Sequence, residues 1–190
     1  MKMQAFAKVV PRLTMLFFLL SAGLLAAQNR DSAAISKLLN QVKSHAALAD
    51  DDAATLESLT RTGVHWSTHG TQLDLMKEHV NNLVNDSNEM ISLRNEGSPW
   101  QQQAIDRIEP LLPVMADHLR NAITHFNGNR NRIHMQAYRD YVVENQKLIN
   151  SAYQVIKAFD SYAQAMNRAD TLQKQLELPH SSTKAENVQP

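Results

Sequence analysis

Apolar residues recur at alternating steps of three and four along most of this chain, in four segments between Asp31 and Leu176. That spacing places the apolar side chains of each segment on one face of a long helix. Four amphipathic helices must each cover an apolar face, and they can do so by turning those faces toward a common axis. The pattern therefore predicts an all-α protein, folded as a four-helix bundle.

The apolar positions also predict which face of each helix is buried. They are Ile35, Leu39, Val42, Ala46, Ala49, Ala53, Leu56; Trp66, His69, Leu73, Met76, Val80, Leu83, Ser87, Met90, Arg94; Ile105, Ile108, Leu112, Met115, Leu119, Ala122, Phe126; and His134, Tyr138, Tyr141, Asn145, Leu148, Ala152, Val155, Phe159, Tyr162, Met166. Ser87, Arg94 and Asn145 are polar residues on these faces, where an unpaired polar group would cost stability.

Local signals give the expected helix starts. Asp31 or Ser32 is the expected N-cap of the first helix, and Ser98 followed by Pro99 is the favoured opening of the third. The acidic run 50–52 could cap a second short helix, so residues 31–62 form either one helix or two.

Two further features bear on the path of the chain. Pro110 and Pro113 lie within the third stripe, which keeps its phase across them, so we expect a kinked helix and not a break. The connections at 63–65, 97–98 and 127–132 are short, which predicts antiparallel neighbours in an up-down-up-down arrangement.

The N-terminus has the composition of a secretory leader. Lys2, Lys8 and Arg12 precede the apolar run Leu13–Ala27, whose 15 residues fall short of the roughly 20 that span a membrane. We expect a signal peptide over residues 1–27 and a periplasmic or secreted protein. An uncleaved leader is the alternative, and would be the sole membrane contact. The chain has no cysteine, which excludes a lipid-anchored lipoprotein, disulfides and covalent haem.

The remaining chain carries little net charge. Without residues 1–27 it has 16 basic and 19 acidic side chains, which gives no basic surface for nucleic acid. We expect one helical domain over residues 31–178 and a disordered tail over residues 179–190, which lack apolar periodicity.

The fourth helix is expected to be longer than the other three. Its last apolar residues are Tyr162, Met166, Leu172 and Leu176. If the first helix does not cover them, they are a site for a protein partner or for a homodimer.

The predicted topology brings several histidines to one end of the bundle. His65, His69, His125 and His134 would lie near the 63–65 and 127–132 connections, where they could ligate Zn, Cu or Ni or hold a non-covalent haem. Trp66, His118 and Tyr138 would line the same region as binding residues. The alternative is that these polar aromatic residues only fill a hydrated bundle end.

The sequence carries no recognisable catalytic motif. A ferritin-like di-iron bundle needs Glu-x-x-His on two helices, whereas in the predicted helices Glu78 directly precedes His79 and Asp117 directly precedes His118. H-E-x-x-H, a P-loop and G-x-S-x-G do not occur in the sequence. We therefore expect no enzyme.

Three strings resemble an uncharacterised family of exported helical proteins from acidobacteria. They are Trp66–His69, Met76–Asn81 and Ser98–Leu112, and the resemblance covers about residues 31–178. It implies export and an all-helical fold, and no activity or binding residue.

These features together predict an exported, non-enzymatic helical bundle that acts as an interaction, scaffold or envelope-stress module. The alternative is a periplasmic bundle that binds a metal or haem through its histidine-rich end.

Overall fold

The computed structural model describes residues 30–176, and these residues form an all-α bundle without a strand. The predicted leader and the predicted tail lie outside the described residues. The helices are α1 (Ala33–Leu59), α2 (Trp66–Ser92), α3 (Pro99–Ile108), α4 (Leu111–Gly128) and α5 (Gln136–Gln175), with short 3₁₀ turns at Arg94–Glu96 and Arg130–Arg132. The predicted all-helical bundle is confirmed.

Helix α1 is a single helix, which resolves the choice left open for residues 31–62. Ser32 is its N-cap. The acidic run lies within this helix, and two of its carboxylates, those of Asp50 and Asp52, accept hydrogen bonds from neighbouring helices. Asp50 accepts from Asn150 of α5 at 3.1 Å, and Asp52 accepts from Gln72 of α2 at 2.8 Å.

The predicted third helix is divided into α3 and α4 at Glu109 and Pro110. Both residues keep right-handed helical dihedrals, so the chain continues through the interruption without reversing. Pro110 has no N–H to donate, whereas Pro113 falls in the first turn of α4, where its missing N–H costs no intrahelical bond. The stripe stays buried from Ile105 to Phe126, as its phase predicts.

Cross-helix hydrogen bonds give the relative directions of the helices. Along α1 and α5 they join Lys43 to Asp160, then Asp50 to Asn150, then the Thr60 carbonyl to Arg139. One residue number rises while the other falls, so these two helices run in opposite directions.

The buried face of α5 differs from the predicted one. Tyr138, Asn145 and Ala152 are buried as expected, but Val142, Ile149 and Ile156 lie in the core where Tyr141, Leu148 and Val155 were predicted. Both sets satisfy heptad spacing and share three members, so the sequence pattern did not separate them.

Two of the three polar residues predicted on the inner faces are buried. Ser87 and Asn145 lie in the core, and Asn145 Nδ2 donates to the His118 and Tyr141 carbonyls at 3.2 and 2.8 Å. Arg94 instead lies in a 3₁₀ turn and pairs with both carboxylate oxygens of Asp106 at 2.6 and 2.7 Å. None of the helices described is long and apolar enough to cross a membrane.

Candidate functional site

The α1–α2 and α4–α5 connections meet at one end of the bundle. Arg139, at the start of α5, donates to the Thr60 carbonyl at the end of α1 at 3.1 Å. The Arg130 guanidinium lies 5.0 Å from the ring of Trp66, at the start of α2. We call this region, formed by residues 60–70 and 125–141, the histidine end.

His69 and Tyr138 form the buried pair at the centre of the histidine end. His69 Nδ1 and the Tyr138 hydroxyl are 3.2 Å apart, and each residue is 1% exposed. Burial raises the pKa of Tyr138 and lowers the pKa of His69, because each charged form would lose its hydration. Tyr138 therefore keeps a proton that it can donate to Nδ1, and the imidazole then carries its own proton on Nε2.

Aromatic rings surround this pair. The His125 ring is stacked on Tyr138 at 6.4 Å between centroids and lies 4.9 Å from the Tyr141 ring. Phe126 contacts the other side of Tyr138 at 6.0 Å. The site is thus a packed aromatic cluster around the hydrogen bond between His69 and Tyr138.

His65 has a structural role in this arrangement. It is the N-cap of α2, where its Nδ1 accepts from the Ser67 N–H at 3.3 Å, and its ring lies 5.0 Å from the Trp66 ring. His118 lies on α4 two turns before His125 and is half-buried. Its carbonyl accepts a hydrogen bond from Asn145 Nδ2.

His134 does not point into the core as predicted. It is exposed and precedes α5, whose first residue is Gln136, so the helical phase does not apply to it. His134 and His69 nevertheless line one cavity of about 180 Å³, together with Thr60, Thr62, Gly63, Val64 and Ile133.

The predicted metal ligands do not form a ligand set. Within residues 30–176 no three histidine, aspartate or glutamate side chains are grouped to hold a metal ion, so His65, His69, His125 and His134 do not converge on one point. The cavity beside His69, at about 180 Å³, is also smaller than the roughly 300–1,000 Å³ that cofactor-sized ligands occupy. It offers no space for a haem.

A second pair of histidines lies between α1 and α2, and the sequence analysis missed it. His79 Nδ1 lies 2.9 Å from Asp52, His45 Nε2 lies 3.5 Å from Asp86, and the two imidazole rings are 6.4 Å apart. Each helix carries a histidine seven residues before an aspartate, so antiparallel packing pairs them reciprocally. That repeated spacing was a usable signal.

The opposite end of the bundle contains a buried glutamine that ties two helix starts together. The Gln101 Oε1 accepts from the Ser32 and Ser98 N–H groups at 2.8 and 3.0 Å. Its Nε2 donates to the Ser32 carbonyl and to the Ser36 hydroxyl, both at 3.0 Å. The spacing Ser98-x-x-Gln101 is that of a capping box, a signal that the sequence analysis did not use.

At the same end as Gln101, the last turns of α5 bury no side chain against the rest of the described chain. The last buried residue of this helix is Asp160, and the described residues bury none of residues 161–176, which we call the projecting end. Tyr162, Met166, Leu172 and Leu176 are 49%, 39%, 50% and 64% exposed, so α1 does not cover them. At 1.5 Å per residue the projecting end is about 24 Å long.

An apolar pocket lies where the projecting end leaves the bundle. It has a volume of about 270 Å³ and is lined by Trp100, Gln103, Ala158, Phe159 and Tyr162. The Trp100 and Tyr162 rings meet edge to face at 5.6 Å, and Trp100 Nε1 donates to Asp31 at 2.6 Å. One wall of the pocket is therefore fixed by a hydrogen bond to Asp31, just before α1.

Comparison of the chain with family models, curated proteins and solved structures finds no match. The resemblance to the acidobacterial family stays a prediction.

Proposed function

We propose that the protein is an exported helical bundle that binds another protein, as an interaction or scaffold module, through the projecting end of α5. The observation that carries this proposal is the exposure of Tyr162, Met166, Leu172 and Leu176 on one helical segment. Single exposed apolar residues are common on protein surfaces. Four on one helical segment that the rest of the described chain leaves unburied are typical of a binding surface.

The energetics of the projecting end favour a binding role. In proteins most helical stability comes from the packing of an apolar face against neighbouring elements. The described residues bury no side chain of the projecting end, so this part of α5 gains little stability from such packing. A partner that covered the apolar side would both bury it and stabilise the helix.

Two sequence features support the remaining parts of the proposal. The apolar run Leu13–Ala27 after a basic start supports export, and the small net charge of the rest supports a protein partner over a nucleic acid.

Site-specific photocrosslinking in the native cell tests the proposal. The full chain would carry a photoreactive phenylalanine analogue at Met166, on the projecting end, or at Leu48, an equally exposed apolar residue of α1. We expect a discrete protein adduct from position 166 and none from position 48. Fractionation of the same cells should place the protein outside the cytoplasm.

Two results would overturn the proposal. If position 166 gives no adduct, or no more than position 48, the projecting end does not bind a protein. If the protein fractionates with the cytoplasm, export is wrong.

A further inference from the structure

We propose that the partner of the projecting end is a second copy of this chain, paired antiparallel along residues 161–176 about a two-fold axis at Ala169. This inference rests on the proposed function, since it names the protein that the projecting end binds. Two independent observations carry it: the symmetry of the apolar residues about Ala169, and a pocket placed to receive the last of them.

The large apolar residues of the projecting end are arranged symmetrically along the helix. Tyr162 and Leu176 lie seven residues before and after Ala169, and Met166 and Leu172 lie three before and after it. At 100° per residue all four lie within about 60° of Ala169 around the helix, with Tyr162 and Met166 on one side and Leu172 and Leu176 on the other. They form one stripe that reads similarly in both directions.

A two-fold antiparallel pair uses this symmetry directly. It places Met166 of one copy beside Leu172 of the second, and Tyr162 of one copy beside Leu176 of the second. At the axis the two Ala169 residues meet, and their small side chains let the helices approach closely. In each of these pairs, one residue comes from one side of the stripe and its partner from the other side. The two helices can therefore pack antiparallel about the axis.

The pocket lined by Trp100, Phe159 and Tyr162 supplies the second observation. Leu176 is the most exposed large apolar residue of the described chain, and it lies about 21 Å along α5 from Tyr162. A copy cannot reach its own pocket with that leucine, because the helix between them is continuous. In the antiparallel pair each Leu176 arrives level with the pocket of the second copy.

The charges beside the stripe predict how this pairing responds to salt. Arg168 and Asp170 lie on opposite edges of the stripe, and Asp170 is already paired with Lys174 of its own helix at 2.6 Å. In the antiparallel pair each edge meets its own counterpart, so Arg168 lies beside Arg168 of the second copy. We therefore expect salt to strengthen the pairing. A parallel pair would set Arg168 beside Asp170 and would be weakened by salt.

The first test is sedimentation equilibrium of the protein purified from the compartment in which it accumulates. We expect a reversible dimer. In a two-fold dimer both copies carry the substitution at the interface. Met166→Asp would therefore bury two carboxylates and should raise the dissociation constant roughly a hundredfold. Leu48→Asp introduces the same charge at an equally exposed leucine of α1 and should leave the dimer unchanged.

Disulfide trapping tests the orientation, and the lack of native cysteines makes single-cysteine variants unambiguous. Ala169→Cys should crosslink to itself under mild oxidation, whereas Thr171→Cys, on the opposite side of the helix, should not. Ala165→Cys and Gln173→Cys should crosslink when the two variants are mixed. Each alone should crosslink poorly, because its two copies would lie about 12 Å apart.

The outcomes separate this inference from the proposed function. Self-crosslinking at positions 165 and 173 alone would mean a parallel pair and would overturn the inference. A monomer whose position 166 crosslinks to a different protein, or to residues 1–29 of its own chain, would also overturn it. A crosslink to a different protein would still support the proposed function, whereas a crosslink to residues 1–29 would not. A monomer with no adduct at position 166 would overturn both.

Discussion

The two ends of this bundle deal with aromatic and apolar side chains in opposite ways. At the histidine end, Tyr138 is 1% exposed and its hydroxyl bonds to His69. At the projecting end, Tyr162 is 49% exposed and contacts Trp100 at the margin of an open pocket. At the histidine end, the described chain itself buries the His69–Tyr138 pair. The projecting end leaves apolar surface that only an additional segment or molecule would bury.

The difference follows from which side chains the other helices cover. Short connections at the histidine end bring four helix termini together, so His69, His125, Phe126 and Tyr138 each contact a ring from another helix. At the opposite end, no side chain of α5 beyond Asp160 is buried by the described residues. Four exposed large apolar residues therefore lie together on the last turns of α5.

The largest expected effect contrasts two tyrosines of one helix. Tyr138→Ala should lower the free energy of unfolding by about 3–5 kcal/mol, because it removes a fully buried ring from the core. Tyr162→Ala should lower it by less than about 1 kcal/mol, since half of that ring is exposed. Urea denaturation at a concentration where the chain is monomeric measures both. Equal losses would contradict the contrast between the ends.

A smaller effect is expected from the polar network at the base of the projecting end. Gln101→Leu keeps the side-chain size but removes five hydrogen bonds and leaves two backbone N–H groups without their acceptor. We expect a loss of about 2–4 kcal/mol in the free energy of unfolding. Gln103→Leu, an exposed position on the same helix, should change it by less than about 0.5 kcal/mol. If the two variants are equally stable, the network does not hold α1 to α3.

Much of the fold was predictable because helical periodicity is a local property. The stripes from Ile35 to Leu56 and from Ile105 to Phe126 are buried as predicted, and Ser98 and Pro99 open α3 as expected. The phase of α5 was less well predicted, since Tyr141 and Val142 both continue a heptad pattern from Tyr138. Packing against α1 and α4 places Val142 inward, and neighbouring helices are outside the reach of a local pattern.

The candidate site was predictable in place but not in geometry. Antiparallel topology brings His69, His125 and Tyr138 to one end, as the connections implied. The directions of the rings depend on tertiary contacts: His69 turns to Tyr138 and His65 caps α2. The pairing of His45 with Asp86 and His79 with Asp52 needed the register of α1 against α2, which the repeated seven-residue spacing encodes.

The smallest expected effect is a pH dependence that arises at the histidine end. Burial lowers the pKa of His69 below its ordinary 6.5, so the unfolded chain binds this proton more readily than the folded one. The stability that neutral His69 permits is complete above pH 6.5 and is lost as the pH falls toward the lower folded pKa. The slope from this group is at most about 1.4 kcal/mol per pH unit.

Urea denaturation between pH 5 and 8 isolates this slope. Burial raises the pKa of Asp52, so protonation of that carboxyl adds stability as the pH falls, and its contribution to the slope has the opposite sign to that of His69. His69→Gln should flatten the decline below pH 6.5, whatever its effect at pH 8. His134→Gln, at an exposed position of the same end, should keep the wild-type slope. If His134→Gln flattens the slope and His69→Gln does not, the group that makes this end acid-sensitive lies at its surface. The pH dependence would then not arise from the buried histidine.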